Sequence, residues 1–187
     1  MTESLFAQFQ RRLSALGGEV VYVDDVAQGA ELIAERARQG DGSVVVPPLL
    51  ETSDAPTIWQ QAIPLLREMG IIIKESTGAA SVADAPVGLS GAELAIAETG
   101  SVMLADNALE ARVVSMLTLR HIILVSESAI VPMLDDAGAR LRELTRSGPH
   151  QRHYVSLITS SSRTSDIERV LTIGVQGPKA LCVIVVK

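Results

Sequence analysis

Leu5, Phe9, Leu13 and Leu16 recur at helical spacing until Gly17-Gly18 interrupts them, which predicts an amphipathic helix near the start of the chain. The run EVVYV then reads as a short strand. Val26, Ala30, Ile33 and Ala37 repeat the helical period behind Asp24 and Asp25, two good capping residues, and Gly40 supplies a stop. SVVV is the next strand, closed by Pro47-Pro48. Ile58, Ala62, Leu65 and Met69 form a third helical face, and Gly70 leads into the strand IIIK. Short apolar strands alternating with helices of about 10 to 15 residues are the pattern of βαβ units on a mainly parallel sheet.

The middle of the chain breaks this rhythm. VGLSGAELAIAETGSVMLA has no helical period but holds short apolar runs separated by glycine-containing turns, which predicts a meander or hairpin with Thr99-Gly100 at one tip. The α/β alternation then resumes with a helix around Ala108 to Leu117, the strand HIILVS, and a helix with Leu134, Ala137, Leu141 and Leu144 on one face. The strand YVSLITS, a short helix from about Asp166 and the closing strand ALCVIVV complete it. No internal repeat, low-complexity tail or linker divides the sequence, so residues 1–187 are expected to form one domain. Its expected class is α/β: three layers, α/β/α, around a mainly parallel sheet with the meander or hairpin inserted.

Composition sharpens this picture. Hydrophobic residues make up 47% of the chain and aromatic ones only 3%, so the core must be aliphatic, the palette of buried parallel strands. A domain of this length buries roughly 70% of the surface its unfolded chain exposes. The formal net charge of −6 and the scarcity of aromatics argue against nucleic acid, which demands a basic surface and stacking platforms. The opening MTESLFAQFQRRL lacks the design of a signal peptide and no apolar run spans a bilayer, so a cytoplasmic protein away from the membrane is expected. The lone cysteine, Cys182, sits in an apolar run and cannot by itself ligate an iron–sulfur cluster.

Three polar clusters interrupt the apolar pattern. SSSRTSDIER, from Ser160 to Arg169, lies between an expected strand and an expected helix, the carboxyl-end position where open α/β sheets bind ligands. Ser165 and Glu168 fit a capping box on that helix. Arg163 either meets an anion there, with the hydroxyls of Ser162 and Thr164, or pairs with Asp166 or another carboxylate. AETGS places Glu98 beside an ordinary hairpin tip, and pattern alone reads it as an exposed carboxylate. GVQGPK, with Gly174 and Gly177, is a turn or a close backbone approach to a ligand, but its spacing is no dinucleotide fingerprint. His150 and His153 in HQRH have no acidic ligand close in sequence, so no metal site is expected. His121, at the start of a strand, is expected to cap or hydrogen-bond.

The order AIAETGSVML, RHIILV, SSRTSDIE and GVQGPKALCVIVV resembles the LUD (lactate utilisation) domain family, in particular its stand-alone lactate utilisation protein C type. The resemblance runs from about Val87 to the C-terminus, while the first half matches only in its α/β rhythm. Carried over motif by motif, it marks Glu98, Thr99 and Gly100, then His121, then Ser162, Arg163, Thr164, Asp166 and Glu168, then Gly174, Gly177 and Pro178. The chain departs from the family pattern in having Ser101 for Thr, Thr118 for Pro, Ser160-Ser161 for Gly-Pro, Ser165 for Ala and Gln176 for His. The last change removes the imidazole that could do acid–base work there.

What the resemblance implies is a fold similar to the NagB/RpiA/CoA transferase-like superfamily and a part in oxidising L-lactate to pyruvate beside an iron–sulfur partner and a cysteine-rich partner. Cofactors are then expected on those chains and none on this one. The leading expectation is an accessory, non-redox subunit that binds an anionic small molecule or a partner chain. The ligand residues would be Glu98, Thr99, Gly100, Ser162, Arg163, Thr164, Asp166, Gly174 and Gly177. The alternative is an acyl-CoA or sugar-phosphate enzyme in which Glu98, in the sequence ETG, is the nucleophile.

Overall fold

The computed structural model describes residues 3–49, 57–149, 151–165, 171–175 and 177–187. Helix α1 (Leu5–Ala15) is capped by Ser4, whose hydroxyl accepts the Ala7 amide at 3.1 Å, and leads into strand β1 (Glu19–Val23). Helix α2 (Val26–Arg38) starts at Asp25, which accepts the Gln28 amide at 2.9 Å. Then come β2 (Ser43–Val46), α3 (Ile58–Glu68), β3 (Ile72–Glu75), the short α4 (Ala79–Val82) and β4 (Val87–Gly91). The apolar pattern had placed all of these except α4.

The second half contains β5 (Leu94–Ile96), β6 (Ser101–Asp106), α5 (Leu109–Leu117), β7 (Arg120–Ser126), β8 (Ile130–Val131) and α6 (Leu134–Leu144). It closes with β9 (Tyr154–Ile158), β10 (Arg163–Ser165), β11 (Leu171–Ile173) and β12 (Ala180–Val186). The main sheet has the order β1-β12-β7-β4-β2-β3, and every pairing in it is parallel. Its central strands β7 and β12 are buried on both faces, which explains their unbroken apolar runs.

One face is covered by α2 and α3, through Ala30, Ile33, Ala37, Ala62 and Leu66 against Val44, Leu89, Ile122 and Ile184. The opposite face is divided. Phe9 and Leu13 of α1 pack with Ile123, Val183 and Val185, while Val113 and Val114 of α5 pack with Val45 and Val82. A second sheet, β8-β5-β6-β9, also lies on this side, and α6 packs on it through Ala137 and Leu144 against Leu94, Ile96 and Met103. The three expected layers therefore become four where this sheet intervenes.

Three expectations need correction. Of the apolar runs in the middle, the first, β4, joins the main sheet, and only β5 and β6 form the hairpin. YVSLITS does not enter the main sheet: β9 pairs antiparallel with β6. Its Tyr154 and Ser156 would be costly in a strand buried on both faces but suit a sheet with one polar side. Third, Arg163–Ser165 is itself a strand, paired antiparallel with Leu171–Ile173, so the expected helix from about Asp166 does not extend to Leu171; the rest of that helix and its Ser165–Glu168 capping box lie outside the described residues. The β-branched Thr164, Thr172 and Ile173 favour this pairing. Asp166, Glu168 and Gln176 lie outside the described residues.

Candidate functional site

Parallel pairing brings the carboxyl ends of β2 and β4 together, where Pro47-Pro48 and Gly91-Ala92 leave the sheet. They open on a cavity of about 410 Å³, walled by the first turn of α3, by α5, and by β6 and β9 of the second sheet. This is the crevice position favoured in open α/β sheets. Trp59 can cover the end of β4 because residue 91 is glycine; a Cβ there would stand 2.4 Å from the indole Cδ1.

A second cavity, of about 430 Å³, adjoins the first and shares Ser115, Tyr154 and Ser156 with it. Here the sequence clusters meet: Ser162, Arg163, Thr164 and Gly177 all line it. The Ser162 amide donates to the Pro178 carbonyl, and the Gly174 amide to the Ser162 carbonyl, each at 2.9 Å. A Cβ on Gly177 would lie 3.0 Å from Ser162 Cβ, which accounts for the glycine. Gly174, at φ +77°, stands against Lys179 and does not line the cavity. Arg163 Nη2 donates to the Leu16 carbonyl at the C-terminal end of α1, where a cation also suits the helix dipole.

Glu98, Thr99 and Gly100 lie elsewhere and line neither cavity. Glu98 Oε2 accepts the Leu134 amide at 3.0 Å, so the carboxylate serves the N-terminus of α6. Thr99 Oγ1 donates to Ser101 Oγ at 2.8 Å, and the Ser101 and Thr159 hydroxyls stand 2.9 Å apart. Gly100 presses against the backbone of α1. Glu98→Ala is expected to lower stability by about 1 kcal/mol, the usual worth of such a cap. Urea titration of both chains checks this; equal midpoints would show that the carboxylate contributes nothing to the helix.

His121 is fully buried in the wall of the second cavity, and its Nε2 lies 2.7 Å from the hydroxyl of Ser90, which lines the first. Its Nδ1 has no hydrogen-bond partner. Burial pushes its pKa down from 6.5 to about 3, so the ring is neutral at physiological pH. The hydrogen bond expected from sequence is present, with a serine that sequence did not single out. Burial also pushes the Cys182 thiol up to about 12, which makes it a poor nucleophile and a poor metal ligand. Among the described residues no group of three His, Cys, Asp or Glu side chains converges. No helix among them is long and apolar enough to cross a membrane.

The first cavity holds what sequence reasoning missed: Trp59, Arg112, Arg152 and Tyr154. Arg112 lies between the buried Ala111 and Val113 of α5, which is a weak signal. Arg152, inside HQRH, offered none.

A family model described as the LUD domain matches residues 6–186, so the likeness extends through the first half as well as the second. Lactate utilization protein C 1 of Bacillus mycoides (strain KBAB4) is 32% identical over 102 residues, covering 54% of this chain and 44% of that protein. Lactate utilization protein C of Shouchella clausii (strain KSM-K16) is 34% identical over 113 residues, 60% of this chain and 48% of that one. The chain thus spans about half the length of the curated relatives it matches. A crystal structure of a DUF162 family protein from Deinococcus radiodurans superposes with a TM-score of 0.65 at 24% identity, covering 98% of this chain and 96% of that one, which shows a shared fold.

Proposed function

Because this chain belongs to the LUD domain family, we propose that it serves lactate utilisation as an accessory, non-redox component that holds an anionic small molecule in the second cavity. Its relatives are named lactate utilization proteins, which supports the process. Cysteine-rich and iron–sulfur partner chains would carry the clusters, a division supported by the single buried cysteine here.

The observation that carries the anion reading is the gathering of Ser162, Arg163 and Thr164 around one cavity. Arg163 has five N–H donors, and the bond to Leu16 uses a fraction of them. A carboxylate or phosphate would take the remainder, with the hydroxyl of Thr164 beside it. A nucleophilic Glu98 lacks comparable support, since that side chain lines neither cavity and already accepts the Leu134 amide.

Thermal unfolding with lactate, pyruvate and inorganic phosphate tests the reading. A compound present at 100 times its Kd should add about 2.7 kcal/mol to stability. Stabilisation by one of these anions that disappears in Arg163→Ala is the expected result. If none of them shifts the midpoint, or the shift survives in Arg163→Ala, the anion reading of this cavity fails.

A further inference from the structure

The first cavity carries a separate assignment, which does not depend on the role of Arg163. Four charged side chains line it: Glu93, Asp106, Arg112 and Arg152. Both acids are engaged. Glu93 is paired with Arg140 at 2.7 Å, and Asp106 Oδ1 accepts the amides of Asn107 at 2.6 Å and Ala108 at 2.9 Å at the start of α5. The arginines are not. Among the described residues neither forms an ion pair, and the Nε of each is buried without a hydrogen-bond partner. Buried guanidinium N–H groups left without acceptors are unfavourable, so a pair of them on one cavity marks a place where an acceptor belongs.

The geometry also orients one of them. The Arg112 guanidinium carbon lies 4.5 Å from the centroid of the Tyr154 ring, which fixes one face of the group and leaves its in-plane N–H groups for another partner. In-plane donors of this kind match oxyanions in a two-pronged fashion. The remaining wall includes Pro47, Pro48, Trp59 and Ala92, an apolar surface for an organic body. A volume of about 410 Å³ falls in the range of small-molecule sites.

We propose that Arg112 and Arg152 form an oxyanion-binding site in the first cavity that takes a small organic dianion, a phosphate monoester or a dicarboxylate. Two cations lining one cavity, with Glu93 paired to Arg140 and Asp106 held by the backbone amides at the start of α5, favour a doubly charged ligand over a monoanion such as lactate. Selectivity for the dianion rests on the two arginines.

Isothermal titration of the full chain with glycerol 3-phosphate, succinate and lactate tests this, using wild type, Arg112→Gln, Arg112→Lys, Arg152→Gln and Arg163→Ala. The expected result is binding of one of the two dianions, weakened at least tenfold in each glutamine variant. Arg112→Lys should also lose affinity because an ammonium cannot replace the stacked fork. Which dianion binds tells phosphate ester from dicarboxylate. Circular dichroism melts of each variant separate lost binding from lost folding, and a variant that does not fold is replaced by methionine at the same position. Absence of binding by both dianions at millimolar concentration would overturn the assignment, as would equal affinity in wild type and both glutamine variants. Loss confined to Arg163→Ala would overturn it too and place the dianion in the second cavity. Failure of the anion reading of the second cavity shows separately, as no lactate, pyruvate or phosphate response at Arg163.

Discussion

Gly100→Ala is expected to destabilise the protein by about 3 kcal/mol, roughly 6 to 12 °C in the unfolding midpoint for a chain of this size. Two causes add. Gly100 has φ +70°, in the left-handed region where an L side chain costs about 1 kcal/mol. A Cβ there would also stand 2.6 Å from the Leu13 amide nitrogen and 2.9 Å from the Arg12 carbonyl carbon, and these are backbone atoms of α1 that cannot rotate aside. Either the hairpin tip or the helix must move, and Leu13 anchors that helix in the core. Gly42 is the matched control: its φ is +73° but nothing lies within 4 Å of its would-be Cβ. Gly42→Ala should therefore lose only about 1 kcal/mol. Equal losses at the two positions would show that the α1 contact does not matter, and that the Thr-Gly tip is shaped by its turn alone.

The second large effect is on acid stability. Folded His121 stays neutral down to about pH 3, while the same residue in the unfolded chain takes a proton below its ordinary 6.5. Between those values the unfolded state binds more protons than the folded one, so stability is fully present above pH 6.5 and falls as the pH drops toward 3. In the middle of that window the slope from this residue is about 1.4 kcal/mol per pH unit. His121→Gln removes the titration while keeping an amide able to hydrogen-bond Ser90. Its stability at neutral pH is expected to be somewhat lower, and its decline between pH 6 and 4 shallower by about that slope. Urea unfolding at each pH measures the difference, which cancels the carboxylates common to both chains. Parallel pH profiles would mean that the imidazole is reached by solvent and protonates in the fold.

Both residues show how far the sequence could be read. Thr99-Gly100 was legible as a hairpin tip because short apolar runs flank it and glycine tolerates positive φ. That its glycine is demanded by α1 was not legible, since nothing in a turn pattern says what approaches it from outside. His121 was legible as the start of an apolar strand and through its family motif. Its neutrality depends on complete burial between two sheets, which a strand pattern does not express.

The linear order of residues determined the longer helices and the cap at Asp25, the βαβ rhythm, the aliphatic core and the buried thiol, because each follows from periodicity or chemistry within one segment. It also carried the family motifs. The tertiary structure alone decided that β9 leaves the main sheet, that Arg163 begins a strand and reaches the end of α1, and that Glu98 caps α6 away from both cavities. It alone brought Arg112 and Arg152 to one cavity. The physical reason is that hydrophobic period reports which face of an element is buried, whereas a site is made of groups from separate elements, and their meeting is set by how those faces pack on one another.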